Sequence, residues 1–251
     1  MNRVILHSAD LYDFELKDWT NPGRLFRIQD SSRINHLNEI IGVNEGDELR
    51  VCLVDWGNGT CRVEAKSSKQ VVLRLEDSAP GLNKPLGLLL GLCRPPSLRK
   101  VIEHSAGMGV THFFIIKCAL SEKSYLNSKW LREDKLKGLL ELGMAQDYSV
   151  SRMPKVQIFK NFKTFLEQSE MNLTFFGSRI VLNQEATQWM KTKSDCNCFA
   201  VGPERGFTAR ELQQLVDLDF KQVKVSQSVL RVEHACFYDL AQLEYSRSSD
   251  L

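Results

Sequence analysis

The sequence predicts an α/β protein in two parts, a small β domain followed by a larger domain with a mostly parallel sheet. About the first 75 of its 251 residues contain short strand patterns separated by turn residues. From residue 86 onward, apolar runs of strand length alternate with helical stretches, as in a sheet covered by helices on both faces. With 43% hydrophobic residues, the chain can bury a core in each part.

The first part is predicted to be a small antiparallel barrel or sandwich, with strands at 4–6, 48–54, 60–65 and 70–75. The segment 55–59 (Asp-Trp-Gly-Asn-Gly) is a hairpin signal, because Gly and Asn accept positive φ. A helix with Ile34, Leu37, Ile40 and Ile41 on one stripe is expected before the second strand.

A linker is predicted at 77–85, where Pro80, Gly81 and Pro85 interrupt regular patterns. This gives a first domain at 1–79 and a second at 84–251. The second domain is expected to contain strands at 86–92, 111–117, 174–176, 199–201 and 222–225, and helices near 97–108, 130–146 and 233–245.

The charge is unevenly distributed although the net charge is only +2. Residues 1–80 carry 10 Lys+Arg against 13 Asp+Glu, whereas residues 84–163 carry 14 against 6. A basic segment of this kind fits a polyanion such as RNA, but an ordinary solvated helix face explains it equally well.

Several features predict a soluble cytoplasmic protein. The N-terminus has no signal-peptide pattern, and no apolar run approaches the roughly 18 residues that span a bilayer. The seven cysteines are odd in number and lie mostly in apolar strings, which indicates reduced core residues. Cys196 and Cys198 lack the spacing of a zinc site, so no metal is expected.

The segment 199–211 couples an apolar strand to a glycine-bearing loop and then to a helix. Thr208 and Glu211 have the spacing of a capping box, which places the helix start at Thr208 and a loop at 202–207. This loop would lie at the carboxyl edge of the sheet, where open α/β sheets bind their ligands. Gly202 and Gly206 would let backbone amides approach a ligand closely. An ordinary Gly-Pro turn at Pro203 is the alternative.

The segment 223–235 repeats this arrangement of strand, polar loop and helix. Arg231 lies at a helix N-terminus, where the helix dipole disfavours a cation, so another role for it is indicated. The alternative is a surface ion pair with Glu233.

Together, the order and spacing of these two segments resemble the RsmE family of SPOUT methyltransferases. The family patterns GPEGG-F-S/T-x-x-E and LG-x-R-(I/V)-LR-T-E-T-A appear here as GPERGFTARE at 202–211 and VSQSVLRVEHA at 225–235. Weaker similarities extend along the chain at 35–37, 45–47, 108–111 and 144–156.

The resemblance implies a PUA-like RNA-binding β-barrel domain, a SPOUT α/β trefoil-knot domain and a homodimer. It further implies S-adenosylmethionine (SAM) as cofactor and N(3) of a uridine in small-subunit (16S) ribosomal RNA as substrate. By position, Arg231 and Glu233 would be catalytic, and the cofactor-binding residues would be Phe176, Gly177, Val201, Gly202, Pro203, Gly206, Val225, Ser226, Val229 and Leu230.

The chemistry implied needs no metal, because a sulfonium is already an activated leaving group. The protein must mainly align the reacting atoms and stabilise uracil as its imide proton leaves. Arg231 could hold a uracil oxygen or a phosphate, and Glu233 or His234 could accept the proton.

Departures from the family occur at Arg99, His104, Gly107, Arg205 and His234. They leave two alternatives open, a divergent paralogue that acts on another RNA and a non-catalytic RNA-binding or ribosome-assembly factor.

Overall fold

The computed structural model describes residues 3–12, 18–81, 84–146, 150–190 and 196–248. The chain forms two compact units, one of Met1–Asn83 with Met144–Met153 and one of Lys84–Gly143 with Pro154–Leu251. The sequence did not predict that 144–153 would join the first unit. Hydrogen bonds explain it, since the Arg3 amide donates to Ala145 O (2.8 Å) and its guanidinium donates to Val150 O (2.7 Å).

The first unit contains a five-stranded sheet in the order β1-β3-β4-β5-β2, in which β1 runs parallel to β3 and the other neighbours are antiparallel. A short helix, α1 (Ser31–Asn35), continues directly into a π-helical turn, His36–Ile41. The strands are β1 (Val4–Leu6), β2 (Leu25–Ile28), β3 (Glu48–Leu53), β4 (Gly57–Lys66) and β5 (Val71–Pro80).

Three predictions for this unit need correction. The predicted linker is partly strand, because β5 continues to Pro80 and pairs its last residues with the start of β4. The positive φ of the hairpin falls on Asp55 (65°) instead of Gly or Asn. Ile40 is 74% exposed, because the π turn shifts it off the stripe that buries Ile34 and Leu37. The strand β2 was not predicted.

The second unit contains a six-stranded sheet in the order β11-β9-β10-β6-β7-β8, with all neighbouring strands parallel. The prediction of a parallel, helix-covered sheet is therefore confirmed. The strands are β6 (Gly87–Gly91), β7 (His112–Ile116), β8 (Lys155–Phe159), β9 (Arg179–Leu182), β10 (Cys198–Val201) and β11 (Phe220–Val223). The helices are α2 (Pro95–Gly107), α3 (Glu133–Gln146), α4 (Phe162–Glu167), α5 (Ser169–Leu173), α6 (Ala209–Asp217) and α7 (Val232–Ser248).

The predicted strand at 174–176 is wrong. These residues follow the end of α5, and the strand of this region is β9, which begins at Arg179. Phe176 is apolar for a different reason, since it is fully buried and its ring would contact any side chain at Gly87. The strand β8 was also missed. Among the described helices, none combines the length and the hydropathy that a membrane span requires.

Candidate functional site

A cavity of about 720 Å³ lies at the carboxyl ends of β6, β9, β10 and β11 of the second unit. The loops that follow β9, β10 and β11 enclose it, together with the N-terminal turns of α2 and α7. This is the edge at which open α/β sheets bind ligands. The predicted site residues that line it are Val201, Gly202, Pro203, Gly206, Val225, Ser226, Val229, Leu230, Arg231 and Glu233.

The loop after β10 is shaped by close backbone packing. A Cβ atom at Gly91, the last residue of β6, would lie 2.6 Å from the Pro203 nitrogen, so the loop can rest on β6 only because residue 91 is glycine. The amide of Gly206 donates to Pro203 O (2.8 Å), and Gly206 has a φ of 71°. The loop is thus held in one compact turn beside the cavity.

The predicted capping box at the start of α6 is confirmed. The Thr208 hydroxyl accepts from the Glu211 amide (3.2 Å), and the Glu211 carboxylate accepts from the Thr208 amide (2.9 Å). The other carboxylate oxygen of Glu211 accepts from the Ala119 amide (2.8 Å), which ties the turn after β7 to this loop. Glu211 is only 4% exposed, so these bonds satisfy a buried charge.

The loop after β11 presents Arg231 to the cavity. Arg231 precedes α7, and its carbonyl accepts from the Ala235 amide (2.8 Å) as the first turn forms. Its side chain is exposed, and within the described residues it forms no ion pair with Glu233 or another carboxylate. The alternative of a surface Arg231–Glu233 pair is therefore not supported.

Glu233 lies in the first turn of α7, and its side chain is buried, with only 6% of the residue exposed. Burial alone would raise the pKa of its carboxyl group. Hydrogen bonds from its own backbone amide and from the Ser97 hydroxyl, together with the nearby charge of Lys100, outweigh burial and lower that pKa below its usual value. Glu233 is therefore ionised at neutral pH and joins α7 to α2.

Three arginines line the cavity, Arg94, Arg205 and Arg231. The side chains of all three are exposed. Glu204, also exposed, accepts from the Arg94 amide (2.8 Å) and so connects the loop after β10 to the N-terminus of α2. The departure Arg205 thus adds a cation at the rim of the cavity.

Phe176 and Gly177, which the resemblance implied as cofactor contacts, do not line the cavity. Leu182, Asn183 and Gln184 take the corresponding position, because Leu182 ends β9 and the other two follow it. The sequence contains a signal for this, an apolar run at 180–182 followed by polar residues, as at the other two loops. The remaining cavity residues that were not predicted as site residues are Arg94, Ser97, Glu204, Phe207, Leu212, Val223, Val232 and Ala235, together with the departure Arg205.

Three of the departures make contacts within the protein, away from the cavity. Arg99 pairs with Glu103 one helical turn later (2.7 Å). The His104 ring packs edge to face on Phe237, with centroids 5.4 Å apart. Gly107 of α2 allows close approach of α3, since a Cβ atom there would lie 2.8 Å from Gly143 O.

Residues 80–244 match the family model described as an RNA methyltransferase domain. A protein named ribosomal RNA small subunit methyltransferase E 1 from Borreliella burgdorferi is 27% identical over 209 residues, which cover 81% of this chain and 86% of that protein. The ribosomal RNA small subunit methyltransferase E of Treponema pallidum is 24% identical, and the matched residues cover 81% of this chain and 79% of that protein.

Solved structures agree in fold. A ribosomal RNA small subunit methyltransferase E from Neisseria gonorrhoeae, bound to S-adenosyl methionine, superposes with a TM-score of 0.73 at 17% identity and covers 97% of both chains. A Legionella pneumophila structure with the bound cofactor SAM gives a TM-score of 0.71 at 17% identity, with 97% of this chain and 98% of that chain covered.

Proposed function

The chain belongs to the RNA methyltransferase domain family and is of its RsmE, SPOUT type, and from this premise we propose that it transfers a methyl group from SAM to N(3) of a uridine in 16S ribosomal RNA. The predicted fold class, a SPOUT domain preceded by a small β domain, is confirmed. The observation that carries the proposal is the meeting of the 202–207 and 225–231 loops around one cavity that presents Arg231.

The cavity fits a cofactor of the size and chemistry of SAM. Its volume of about 720 Å³ is within the range of small-molecule sites. Val201, Val225 and Leu230 supply apolar walls for a nucleoside. Gly202 keeps the loop beside them compact, since a Cβ atom there would lie 3.0 Å from backbone atoms of Gly206 and Phe207. When bound, SAM would supply a methyl group on a sulfonium, which is an activated leaving group.

Arg231 is the group that we propose contacts the substrate. The uracil ring becomes anionic as its N(3) proton leaves, and a fixed cation stabilises that charge as it develops. An arginine stays charged throughout and can donate two parallel hydrogen bonds to an oxygen-bearing group. Its position at the cavity, with no carboxylate partner among the described residues, leaves the guanidinium available for this role.

Glu233 is better suited to positioning than to taking the proton. Its pKa is lowered, and a carboxylate held ionised by hydrogen bonds is a weak base. The Ser97 hydroxyl of α2 is among the groups that lower this pKa, which places the Glu233 carboxylate near the start of α2 as well as at the start of α7, beside Arg231. His234 is exposed in the same turn and is the other candidate that the sequence offered to accept the proton, although it does not line the cavity.

Finer features of the proposal come from the family resemblance: a PUA-like first domain that binds RNA, a homodimer and a cytoplasmic location. In the first unit, however, Arg33, Arg62 and Arg74 are paired with carboxylates at 2.5–2.7 Å. We therefore assign much of the phosphate contact to the second unit. The exposed Tyr238 and Tyr245 on α7 border a small cleft, which suits a contact between two copies of the chain.

A non-catalytic RNA-binding factor is the second candidate, because the chain departs from the family at several positions. The structure weakens that argument, since Arg99, His104 and Gly107 make local packing contacts and none of them lines the cavity. Among the departures, Arg205 is the one that lines it.

The test is methyl transfer from labelled SAM to unmodified small-subunit ribosomal RNA, with the product nucleoside identified by mass spectrometry. We expect 3-methyluridine. Absence of transfer to any uridine N(3) would refute the proposed reaction. Calorimetric titration with SAM separates the two candidates, because a protein that binds no SAM at millimolar concentration is the non-catalytic factor.

Replacing Gly91 with alanine should strongly weaken SAM binding. The new methyl group would overlap Pro203, and both partners are backbone-constrained, so the loop must leave its place. We expect the affinity for SAM, measured by calorimetry, to fall at least about 100-fold, which corresponds to about 2.7 kcal/mol.

Gly177→Ala is the matched control, since a Cβ atom at Gly177 meets no atom within 4 Å and the residue does not line the cavity. Its SAM affinity should equal that of the unchanged protein. A loss of affinity in Gly177→Ala comparable to that in Gly91→Ala would contradict this account of the cavity and restore the contact that the resemblance implied.

A further inference from the structure

The carboxyl edge of the sheet carries basic residues beyond the cavity. Arg94 follows β6, Lys117 follows β7 and Lys160 follows β8, and these strands are neighbours in that order. Because the three strands are parallel, the residues that follow them lie along one edge. The backbone confirms the adjacency, since the Lys117 amide donates to Phe159 O (3.0 Å).

Two contacts attach this edge to the loop of the cavity. The Glu211 carboxylate, at the start of α6, accepts from the Ala119 amide two residues after Lys117 (2.8 Å). The Phe162 ring, two residues after Lys160, packs edge to face on Phe207 with centroids 6.3 Å apart. Phe207 itself lines the cavity. The turns that carry Lys117 and Lys160 are therefore held beside the loop that carries Arg205.

The charge of this edge is positive. Arg94 and Lys160 are exposed and Lys117 is half-buried. Among the described residues, none of the three forms an ion pair within 4.0 Å. The acidic groups nearby are largely occupied, since Glu211 is buried in its capping box and Glu167 pairs with Lys163 (3.7 Å). Glu122, on the turn after β7, and Glu204, which accepts from the Arg94 amide, are exposed carboxylates that remain.

We propose that Arg94, Lys117, Lys160 and Arg205 form a basic rim that binds the phosphate backbone of the RNA on one side of the target nucleotide. This inference rests on the proposed function, because the rim begins at the cavity where the target base would react. A row of cations along a sheet edge contacts successive phosphates without reading base identity. The rim would thus hold the strand in register while Arg231 acts on the base.

The experiment compares two double variants that remove the same charge. Lys117→Gln with Lys160→Gln alters the rim. Lys84→Gln with Lys155→Gln is the matched control, since these exposed lysines precede β6 and begin β8 at the opposite end of the same sheet. Binding to a transcript of unmodified small-subunit ribosomal RNA is measured over a range of salt concentrations, and SAM binding is measured by calorimetry to verify the fold.

We expect the slope of log affinity against log salt to become shallower by about 0.7–1 per rim lysine removed, and not in the control pair. An equal change of slope in both double variants, or no change of slope in the rim variant, overturns the proposal of a basic rim. Methyl transfer by the unchanged protein is scored separately. If it transfers no methyl group but the slope changes only in the rim pair, the proposed reaction fails and the rim stands. Absence of any RNA binding overturns both.

Discussion

Asp239→Asn should make the protein more stable than the unchanged chain, and this gain in stability should be about 4 kcal/mol larger at pH 8 than at pH 5. Asp239 lies on α7 with no exposed surface, and neither carboxyl oxygen has a hydrogen-bond partner among the described residues. Desolvation by burial raises the pKa of its carboxyl group from 3.8 to about 8. The thiols of Cys93 and Cys236 lie in the same apolar region, and burial raises their pKa values as well.

The sign follows from the proton held by the folded state. Between pH 4 and pH 8 the folded protein keeps Asp239 protonated, whereas the unfolded chain releases the proton, so raising the pH favours unfolding. The stability that the protonated Asp239 contributes is fully present below the carboxyl pKa of the unfolded chain, and it is lost as the pH rises through the pKa of the folded protein. Each pH unit in this window costs about 1.4 kcal/mol, or about 4 kcal/mol between pH 5 and pH 8.

Urea denaturation of both proteins at several pH values measures this difference. The variant Asp217→Asn is the control, because Asp217 is exposed at the end of α6 and accepts from Gln213 (2.9 Å). It should keep the pH dependence of the unchanged protein. Equal pH dependence of stability in Asp239→Asn and the unchanged chain would contradict a neutral, desolvated carboxyl group at this position.

Local signals in the sequence predicted the parts of the site that local interactions form. Thr208 and Glu211 are three residues apart, and their reciprocal hydrogen bonds need nothing beyond that segment. The glycines and proline of the 202–207 loop and the strand before it were predictable for the same reason. The resemblance then supplied the pairing of this loop with the one after β11.

Other features depend on residues that are distant in the chain. The second oxygen of Glu211 meets Ala119, and the Glu233 carboxylate meets Ser97 across the packing of α2 and α7. Neither contact follows from a fixed spacing of residues in the sequence. The aromatic pair Phe175 and Phe176 predicts a strand because it is strongly apolar. Phe176 instead fills the core beside Gly87, so tertiary packing overrides the local pattern.

Arg231→Ala should reduce methyl transfer about 100-fold to 1000-fold with little change in SAM affinity, as expected when one electrostatic stabiliser of a developing anion is lost. The arginine is exposed at the N-terminus of α7, where a cation is unfavourable for the helix dipole, so its removal should not destabilise the fold. Arg231→Lys should give an intermediate rate, because lysine keeps the charge but loses the paired donors of guanidinium.

Arg210→Ala is the control for Arg231→Ala. Arg210 is likewise exposed in the first turn of a helix of the same unit, α6, but does not line the cavity. Single-turnover rates at saturating SAM separate the chemical step from binding. A loss confined to the rate in Arg231→Ala, with Arg210→Ala unaffected, assigns the arginine to the reacting base. An equal loss in both variants would instead reduce Arg231 to a general contribution to positive charge, since the two changes remove the same charge from different places.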